Sequence, residues 1–304
     1  MKRILFLIII MLVAINLCGC DSNIEKTPDK LQIVATLFPQ YDIAREIAGD
    51  KADVMLLAPA GADGHTYEPT PAEIIKISES DLFVYTGKYM EAWAEKIISS
   101  VDTENLKVVD VSKNIDLKQV VVHHAQHEET YDPHIWTDPN NAKTMADNIL
   151  NALCEIDSNN ADYYKNRTEN YKNQLEELDK SFIDAVATAQ NKKLVFGDKF
   201  AFLYFAERYG LEHIAAFDSC SSESEPSALV ITQIINEVKT NNIPVIYYSE
   251  TSNKKVPETI ANETGTEALL LHSCHTVTKT ELENGITYLT LMKQNLENLQ
   301  KGLN

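Results

Sequence analysis

The hydrophobic pattern alternates between short strand-like runs and segments with helical spacing. In the first half, β-branched and apolar runs at 31–37, 54–57, 82–85 and 107–111 are separated by helix-like segments. A second alternation has strand-like runs at 193–196, 214–217, 245–248 and 268–271. Strands separated by single helices predict βαβ units and parallel sheets. We therefore expect an α/β protein with two lobes, each a mostly parallel four-stranded sheet flanked by helices.

The longest periodic segment, residues 158–189, lies between the two alternations. It contains no Gly or Pro, and its apolar residues follow helical spacing: Tyr164, Tyr171, Leu175, Leu178, Phe182, Val186 and Ala189. One helix of this length spans roughly 45 Å, and four-residue steps recur where a coiled coil would need sustained heptads. We predict a long rigid helix over 157–190 that joins an N-terminal lobe, 31–156, to a C-terminal lobe, 191–304.

The N-terminus has the pattern of a secretory signal. A basic head precedes an apolar run over 4–17, which is shorter than the roughly 20 residues that cross a bilayer. The run ends in Leu17-Cys18-Gly19-Cys20, which resembles a bacterial lipobox; an ordinary signal peptide cut nearby is the alternative. We expect a signal peptide over 1–19, lipidation of Cys20 and a polar tether over 20–30. Acyl chains on Cys20 would anchor the protein to the outer face of the cell membrane.

The charge and motif content exclude some classes of function. The formal net charge of -18 argues against nucleic acid as a partner, because binding DNA or RNA needs a basic footprint. No Gly-rich loop ending in Gly-Lys-Ser/Thr occurs, so we do not expect the chain itself to hydrolyse ATP.

Several histidines stand where ligands bind in α/β proteins. His65 follows the second predicted strand, His134 lies in the loop 132–136 before a helix, and His272 and His275 follow the last predicted strand. Ligands bind beyond the carboxyl ends of parallel strands, so these imidazoles are candidates for one metal site. Asp-Pro pairs such as those around His134 are also ordinary turn signals. The metal hypothesis therefore depends on the ligands converging.

A second group of histidines lies in the polar segment 122–129 and consists of His123, His124 and His127. Short His-rich tracts bind metal loosely. The segment is therefore either a metal-capture loop or a solvated loop without function.

The cysteines of the second half leave two interpretations open. Cys220 and Cys274 both follow predicted strands, and an oxidising compartment permits a disulfide between them. A thiolate ligand at Cys274, which lies between His272 and His275, is the alternative. Cys154 falls in an apolar helical pattern and is expected to be a buried thiol.

Five segments together resemble one family. They are 61–70 (Gly-Ala-Asp-Gly-His-Thr-Tyr-Glu-Pro-Thr), 132–136, 204–210, 223–226 and 288–295. In this order they are similar to motifs of the zinc and manganese solute-binding lipoproteins of bacterial ABC importers, the cluster A-I (cluster 9) family. The resemblance implies two α/β lobes, a long connecting helix and one metal held at the lobe interface by three or four side chains.

The family's ligand positions carry over in part. His65 and His134 match directly. Where the family usually has a histidine after the first strand of the second lobe, Asp198 and Lys199 stand here, and Lys199 cannot bind metal while protonated. At the fourth position, usually a carboxylate, His272 stands. The resemblance thus predicts the ligand set His65, His134, His272 and Asp198, with His275, Glu223 and Glu225 in reserve.

The resemblance implies an extracytoplasmic, monomeric binding protein rather than an enzyme. It would capture Zn²⁺ between the lobes and deliver it to a membrane permease driven by a separate cytoplasmic ATPase. Three histidines with one carboxylate favour zinc over manganese, which prefers more oxygen ligands. The alternatives are a manganese-binding homologue, a secreted zinc-dependent hydrolase and a surface protein for cell adhesion that contains metal. No His-Glu-x-x-His motif supports the hydrolase.

Overall fold

The computed structural model describes residues 30–120, 130–217 and 226–304. The first half contains β1 (Leu31–Ala35), α1 (Phe38–Ala48), β2 (Ala52–Leu56), α2 (Pro71–Ser78), β3 (Leu82–Tyr85), α3 (Ala94–Ile98), β4 (Lys107–Asp110), β5 (Gln119–Val120), β6 (Thr130–Tyr131) and α4 (Pro139–Ile156). The second half contains α5 (Ala161–Ala187), β7 (Lys193–Phe196), α6 (Leu203–Tyr209), β8 (Glu212–Ala215), α7 (Ala228–Asn241), β9 (Val245–Tyr248), α8 (Lys255–Thr264), β10 (Glu267–Leu270), α9 (Lys279–Glu283) and α10 (Tyr288–Leu303).

Two parallel four-stranded sheets organise the lobes. The strand order is β2-β1-β3-β4 in the first sheet and β10-β9-β7-β8 in the second. Every pairing within these two sheets is parallel. The strands carry buried apolar side chains and helices flank the sheets, as buried parallel sheets require. The predicted fold class is confirmed, and residues Leu31–Asn304 form one compact unit that contains both sheets.

Helix α5 is the predicted long connecting helix. It runs for 27 residues and is preceded by a short 3-10 turn over Ser158–Asn160. It packs against α1 and α4 of the first lobe and against α6 and α10 of the second. Its buried face carries large side chains at helical spacing: Tyr164, Tyr171, Leu175, Leu178, Phe182 and Val186. The apolar residues at helical spacing therefore lie on the face of α5 that both lobes cover.

A buried ion pair attaches α5 to α6. The carboxylate of Asp179 accepts hydrogen bonds from Nε of Arg208 at 2.7 Å, from Nη2 of Arg208 at 2.5 Å and from the Tyr209 hydroxyl at 2.8 Å. Burial raises the pKa of Asp179, but these hydrogen bonds outweigh burial and bring the pKa below its usual range. Asp179 is therefore an ionised, fully partnered group.

Hydrogen bonds also join the lobes close to the ends of the strands. The indole Nε1 of Trp136 donates to the carbonyl oxygen of Ser273 at 2.7 Å. The hydroxyl of Tyr288 donates to the carbonyl oxygen of Trp136 at 2.6 Å, and the Tyr288 N–H donates to Asp42 at 2.7 Å. The segment 132–139 is thus fixed against the second half of the chain.

None of the helices among the described residues combines the length and apolarity that a membrane span requires.

Candidate metal centre

Three imidazoles from distant parts of the chain converge at one place. His65, His134 and His275 each offer a ring nitrogen, and these nitrogens lie within 4.8 Å of one another. The Nε2 atoms of His65 and His134 are 3.2 Å apart. Two nitrogens bound to one tetrahedral zinc at about 2.0–2.1 Å lie roughly 3.3 Å apart. The spacing of His65 and His134 therefore already fits a single ion.

His65 is positioned by the loop that follows β2. The side chain of Asp63 accepts the backbone N–H of His65 at 2.9 Å, which fixes the turn. Gly64, next to it, leaves room for His275, because a Cβ at Gly64 would lie 2.3 Å from Nε2 of His275. The Gly64 N–H instead donates to that nitrogen at 3.0 Å.

His134 is oriented by Asp132. One oxygen of Asp132 accepts both the His134 backbone N–H at 2.8 Å and the ring Nδ1–H at 2.9 Å. Because Nδ1 then carries the proton, Nε2 presents its lone pair to the cleft, as in carboxylate–histidine–metal arrangements. Burial raises the pKa of Asp132, but His134 outweighs this and the pKa is lowered.

Tyr204 and Trp136 hold this segment from two sides. The hydroxyl of Tyr204 donates to the Asp132 carbonyl oxygen at 2.7 Å. The ring of Trp136 stands edge-on to His134, with centroids 5.4 Å apart, and to His275, with centroids 5.8 Å apart. The Trp136 ring therefore limits the rotation of both imidazoles, and Tyr204 holds the backbone before His134.

His275, a reserve in the sequence-based ligand set, joins the group in place of His272. Cys274 adopts the left-handed conformation, with φ 60°, and turns the chain between the two histidines. Glu250 accepts the backbone N–H of His275 at 3.1 Å. This turn directs the His275 ring into the cleft.

His272 has a different environment. Its backbone N–H donates to Oδ1 of Asn295 at 2.6 Å, and its carbonyl oxygen accepts from Nδ2 of Asn295 at 2.7 Å. Its ring nitrogen Nδ1 accepts the Cys274 N–H at 2.9 Å. The structure therefore does not bring His272 into the group of three imidazoles, because these hydrogen bonds hold it against α10.

Asp198 is hydrogen-bonded to Ser249. Its Oδ2 accepts hydrogen bonds from the Ser249 hydroxyl at 2.5 Å and from the Ser249 N–H at 3.2 Å. Asp198 is not part of the converging group, whereas its neighbour Lys199 lines the cavity.

The cavity beside the imidazoles is small and polar. Its volume is about 20 Å³, and its walls include Asp63, Lys199, Ser249 and Thr251 in addition to the three imidazoles. Burial, with the neighbouring imidazoles, lowers the pKa of His65 to about 4 and that of His275 to about 3. Both rings are therefore neutral at pH 7, the form that binds a metal ion.

Seven of the remaining sequence-based candidates lie outside the described residues: Cys20, His123, His124, His127, Cys220, Glu223 and Glu225. Cys274 is fully buried, and burial raises the pKa of its thiol well above the usual value. The disulfide between Cys220 and Cys274 and the metal-capture loop remain predictions.

Curated relatives match over nearly the whole chain. The high-affinity zinc uptake system protein ZnuA of Bacillus subtilis (strain 168) is 33% identical over 312 residues, which cover 98% of this chain and 97% of that protein. The zinc-binding lipoprotein AdcA of Streptococcus pneumoniae (strain ATCC BAA-255 / R6) is 30% identical over 309 residues. That match covers 99% of this chain but only 61% of AdcA, which is a longer protein.

Two solved structures are similar to this chain in fold and in sequence. The metal-dependent lipoprotein YcdH from Bacillus subtilis has a TM-score of 0.80 at 34% identity, covering 90% of this chain and 100% of that chain. The Zn(II)-bound ZnuA-like domain of Streptococcus pneumoniae AdcA has a TM-score of 0.77 at 29% identity, covering 90% of this chain and 99% of that chain.

The sequence profile of the family described as ZnuA, zinc-uptake complex component A, periplasmic, matches residues 33–302. This match confirms the resemblance inferred from the motifs. The chain belongs to the ZnuA family of periplasmic zinc-uptake components.

Proposed function

We propose that this protein is the extracytoplasmic zinc-binding component of an ABC importer, which captures Zn²⁺ between its lobes and delivers it to a membrane permease. The observation that carries the proposal is the convergence of His65, His134 and His275 at one small cavity. His65 and His134 come from the first half of the chain and His275 from the loop after β10, so one bound ion would bridge both lobes.

The donor set favours zinc over manganese. Imidazole nitrogen suits zinc, copper and nickel, whereas manganese prefers carboxylate, carbonyl and water oxygen. No carboxylate of the described residues belongs to the converging group. The relatives support the same choice, because ZnuA of Bacillus subtilis is a zinc uptake protein and the AdcA domain is a Zn(II)-bound structure.

The proposed ligands are His65, His134 and His275, with His275 in the role that was predicted for His272. Asp132 orients His134 without binding the ion. For the rest of the system we propose a permease in the membrane, a separate cytoplasmic ATPase, and a lipid on Cys20 that keeps this protein, as a monomer, at the outer face of the membrane. The bound ion is transported cargo, and the protein acts as a binding protein rather than a hydrolase.

Zinc-limited growth tests this function. In the bacterium that encodes the protein, deletion of the gene is expected to slow growth in chelator-treated medium and to reduce uptake of ⁶⁵Zn²⁺. The wild-type gene restores both, and the variant with His65→Ala and His134→Ala does not. His213→Ala is the matched control, because this imidazole stacks on Phe200 outside the candidate centre and the variant is expected to restore uptake. Full restoration of uptake by the double variant would rule out the proposed function.

A further inference from the structure

Three imidazoles leave one position of a tetrahedral zinc site open. The nearby carboxylates have other partners: Asp63 accepts the His65 N–H, Asp132 accepts from His134, and Glu250 accepts from the Ser273 N–H at 2.8 Å. None of these carboxylates, nor any other Asp, Glu or Cys among the described residues, belongs to the converging group. The fourth ligand must therefore come from outside this group.

Lys199 is the cationic side chain in the wall of this cavity. It is half-buried, and its charge contributes to the lowered pKa of His65, after burial and the effect of His134. Within the described part of the chain, Lys199 takes part in no ion pair. The positive charge of the ammonium group repels a bound cation. Because the group has three N–H donors and no lone pair, it also cannot act as the missing ligand.

An anion would fill the open coordination position and would also balance the positive charge of Lys199. Bound to the zinc ion, it would complete the coordination shell and partly neutralise the ion's charge. Its second contact would be a charge-assisted hydrogen bond from Nζ of Lys199, which is stronger than a bond between neutral groups.

The size of the cavity limits the class of anion. Its volume is about 20 Å³, whereas about 10–15 Å³ is enough for one water molecule. A small cavity of this kind favours an anion of one to a few heavy atoms.

We propose that the site takes Zn²⁺ together with one small monovalent anion, which fills the fourth coordination position and accepts a hydrogen bond from Lys199. This inference rests on the proposed zinc-binding function and specifies the form in which the ion is held. Lys199 is then a positioning residue for the anion and not a metal ligand.

Cobalt substitution tests the inference, because the visible absorption of tetrahedral Co²⁺ reports a change of ligand. Azide is the probe, titrated into the Co²⁺-loaded protein. We expect a saturable spectral change for the wild type, azide binding weakened by at least about 10-fold in Lys199→Met, and binding within about 3-fold of the wild type in Lys199→Arg, which keeps the charge. Lys192→Met, an exposed change outside the cavity, is the control and should match the wild type.

The outcomes separate this inference from the function on which it rests. If the wild type binds one Zn²⁺ and one Co²⁺ but azide leaves the spectrum unchanged, the anion site is refuted and the zinc-binding function stands. Equal azide affinity for wild type and Lys199→Met would also refute it. Failure of the wild type to bind either metal would refute both.

Discussion

At the residue scale, two histidines of one loop have different environments: His275 lies beside His65 and His134, whereas His272 is hydrogen-bonded to Asn295 of α10. Both histidines follow the same predicted strand, and the resemblance favoured the first of them. The difference arises at Cys274, whose φ of 60° turns the chain between them. Because residues other than Gly rarely adopt this conformation, no propensity rule predicts such a turn at a cysteine.

Asp132 gives a prediction at the same scale. Asp132→Ala removes the acceptor that holds Nδ1–H of His134, so the ring loses its preferred tautomer and orientation. We expect zinc affinity to fall about 10- to 100-fold, the usual effect of removing such a partner. Competition with a fluorescent zinc chelator measures the change.

Asp116→Ala is the control, because the Asp116 side chain is 89% exposed and pairs with Lys118 away from the cavity. An affinity for the Asp132 variant equal to that of this control would show that Asp132 does not orient the ligand.

At the element scale, the strands and most helices follow the sequence pattern, but the third helix does not. The segment between β3 and β4 forms only one short helix, α3, over Ala94–Ile98. The preceding residues are held by a buried carboxylate, because Glu91 accepts the backbone N–H groups of Thr86 and Gly87 at 3.0 and 3.2 Å. The hairpin of β5 and β6 and helix α9 were also missed, since they are too short to show a period.

Glu91 gives the protein a pH-dependent stability. Burial raises its pKa from 4.5 to about 7, so the folded state keeps a proton that the unfolded state releases. The contribution of Glu91 to the free energy of unfolding therefore falls as pH rises from about 4.5 to 7. Glu91→Gln removes this titration, and we expect the stability of the wild type relative to the variant to fall by on the order of 2 kcal/mol between pH 5 and pH 8.

Urea unfolding of both proteins at several pH values measures this difference. The exposed Glu95→Gln is the control and should follow the wild type at every pH. Parallel pH profiles for the wild type and Glu91→Gln would show that Glu91 does not titrate in this range.

The ion pair between Asp179 of α5 and Arg208 of α6 gives a second prediction at the element scale. Arg208→Ala leaves the Asp179 carboxylate buried without its cationic partner. We expect the free energy of unfolding to fall by roughly 3 kcal/mol, because removal of one member of a buried pair leaves an uncompensated charge. Lys165→Ala should change it by less than about 1 kcal/mol, since the Lys165 side chain is 60% exposed in its pair with Asp162. Similar losses in both variants, measured by urea unfolding, would contradict the role given to Arg208.

At the scale of the whole molecule, the two-lobe fold could be predicted because each lobe repeats the same strand and helix alternation. The way the lobes meet could not, because it depends on contacts between residues far apart in the chain. Gly61 N–H donates to Oγ1 of Thr276 at 2.9 Å, and Gly64 N–H donates to Nε2 of His275 at 3.0 Å. These bonds bring the loop after β2 against the loop after β10.

One of these contacts bears on metal binding. A nitrogen that accepts a hydrogen bond presents its lone pair to the donor, so Nε2 of His275 cannot bind zinc while it accepts from Gly64. Zinc binding through Nε2 would replace this hydrogen bond with a metal bond. The zinc ion would then connect the loop after β2 to His275 in place of the hydrogen bond from the Gly64 N–H.

The central claim is that a single zinc ion is held by residues of both lobes, with His275 as the ligand from the second. Isothermal titration with Zn²⁺ of the wild type, His275→Asn and His272→Asn tests it most directly. An asparagine at position 272 keeps an acceptor for the Cys274 N–H, which makes the two variants a matched pair. We predict one ion per wild-type chain, at least about 100-fold weaker binding in His275→Asn, and binding within a few-fold of the wild type in His272→Asn. Weak binding by His272→Asn together with wild-type affinity in His275→Asn would contradict the account.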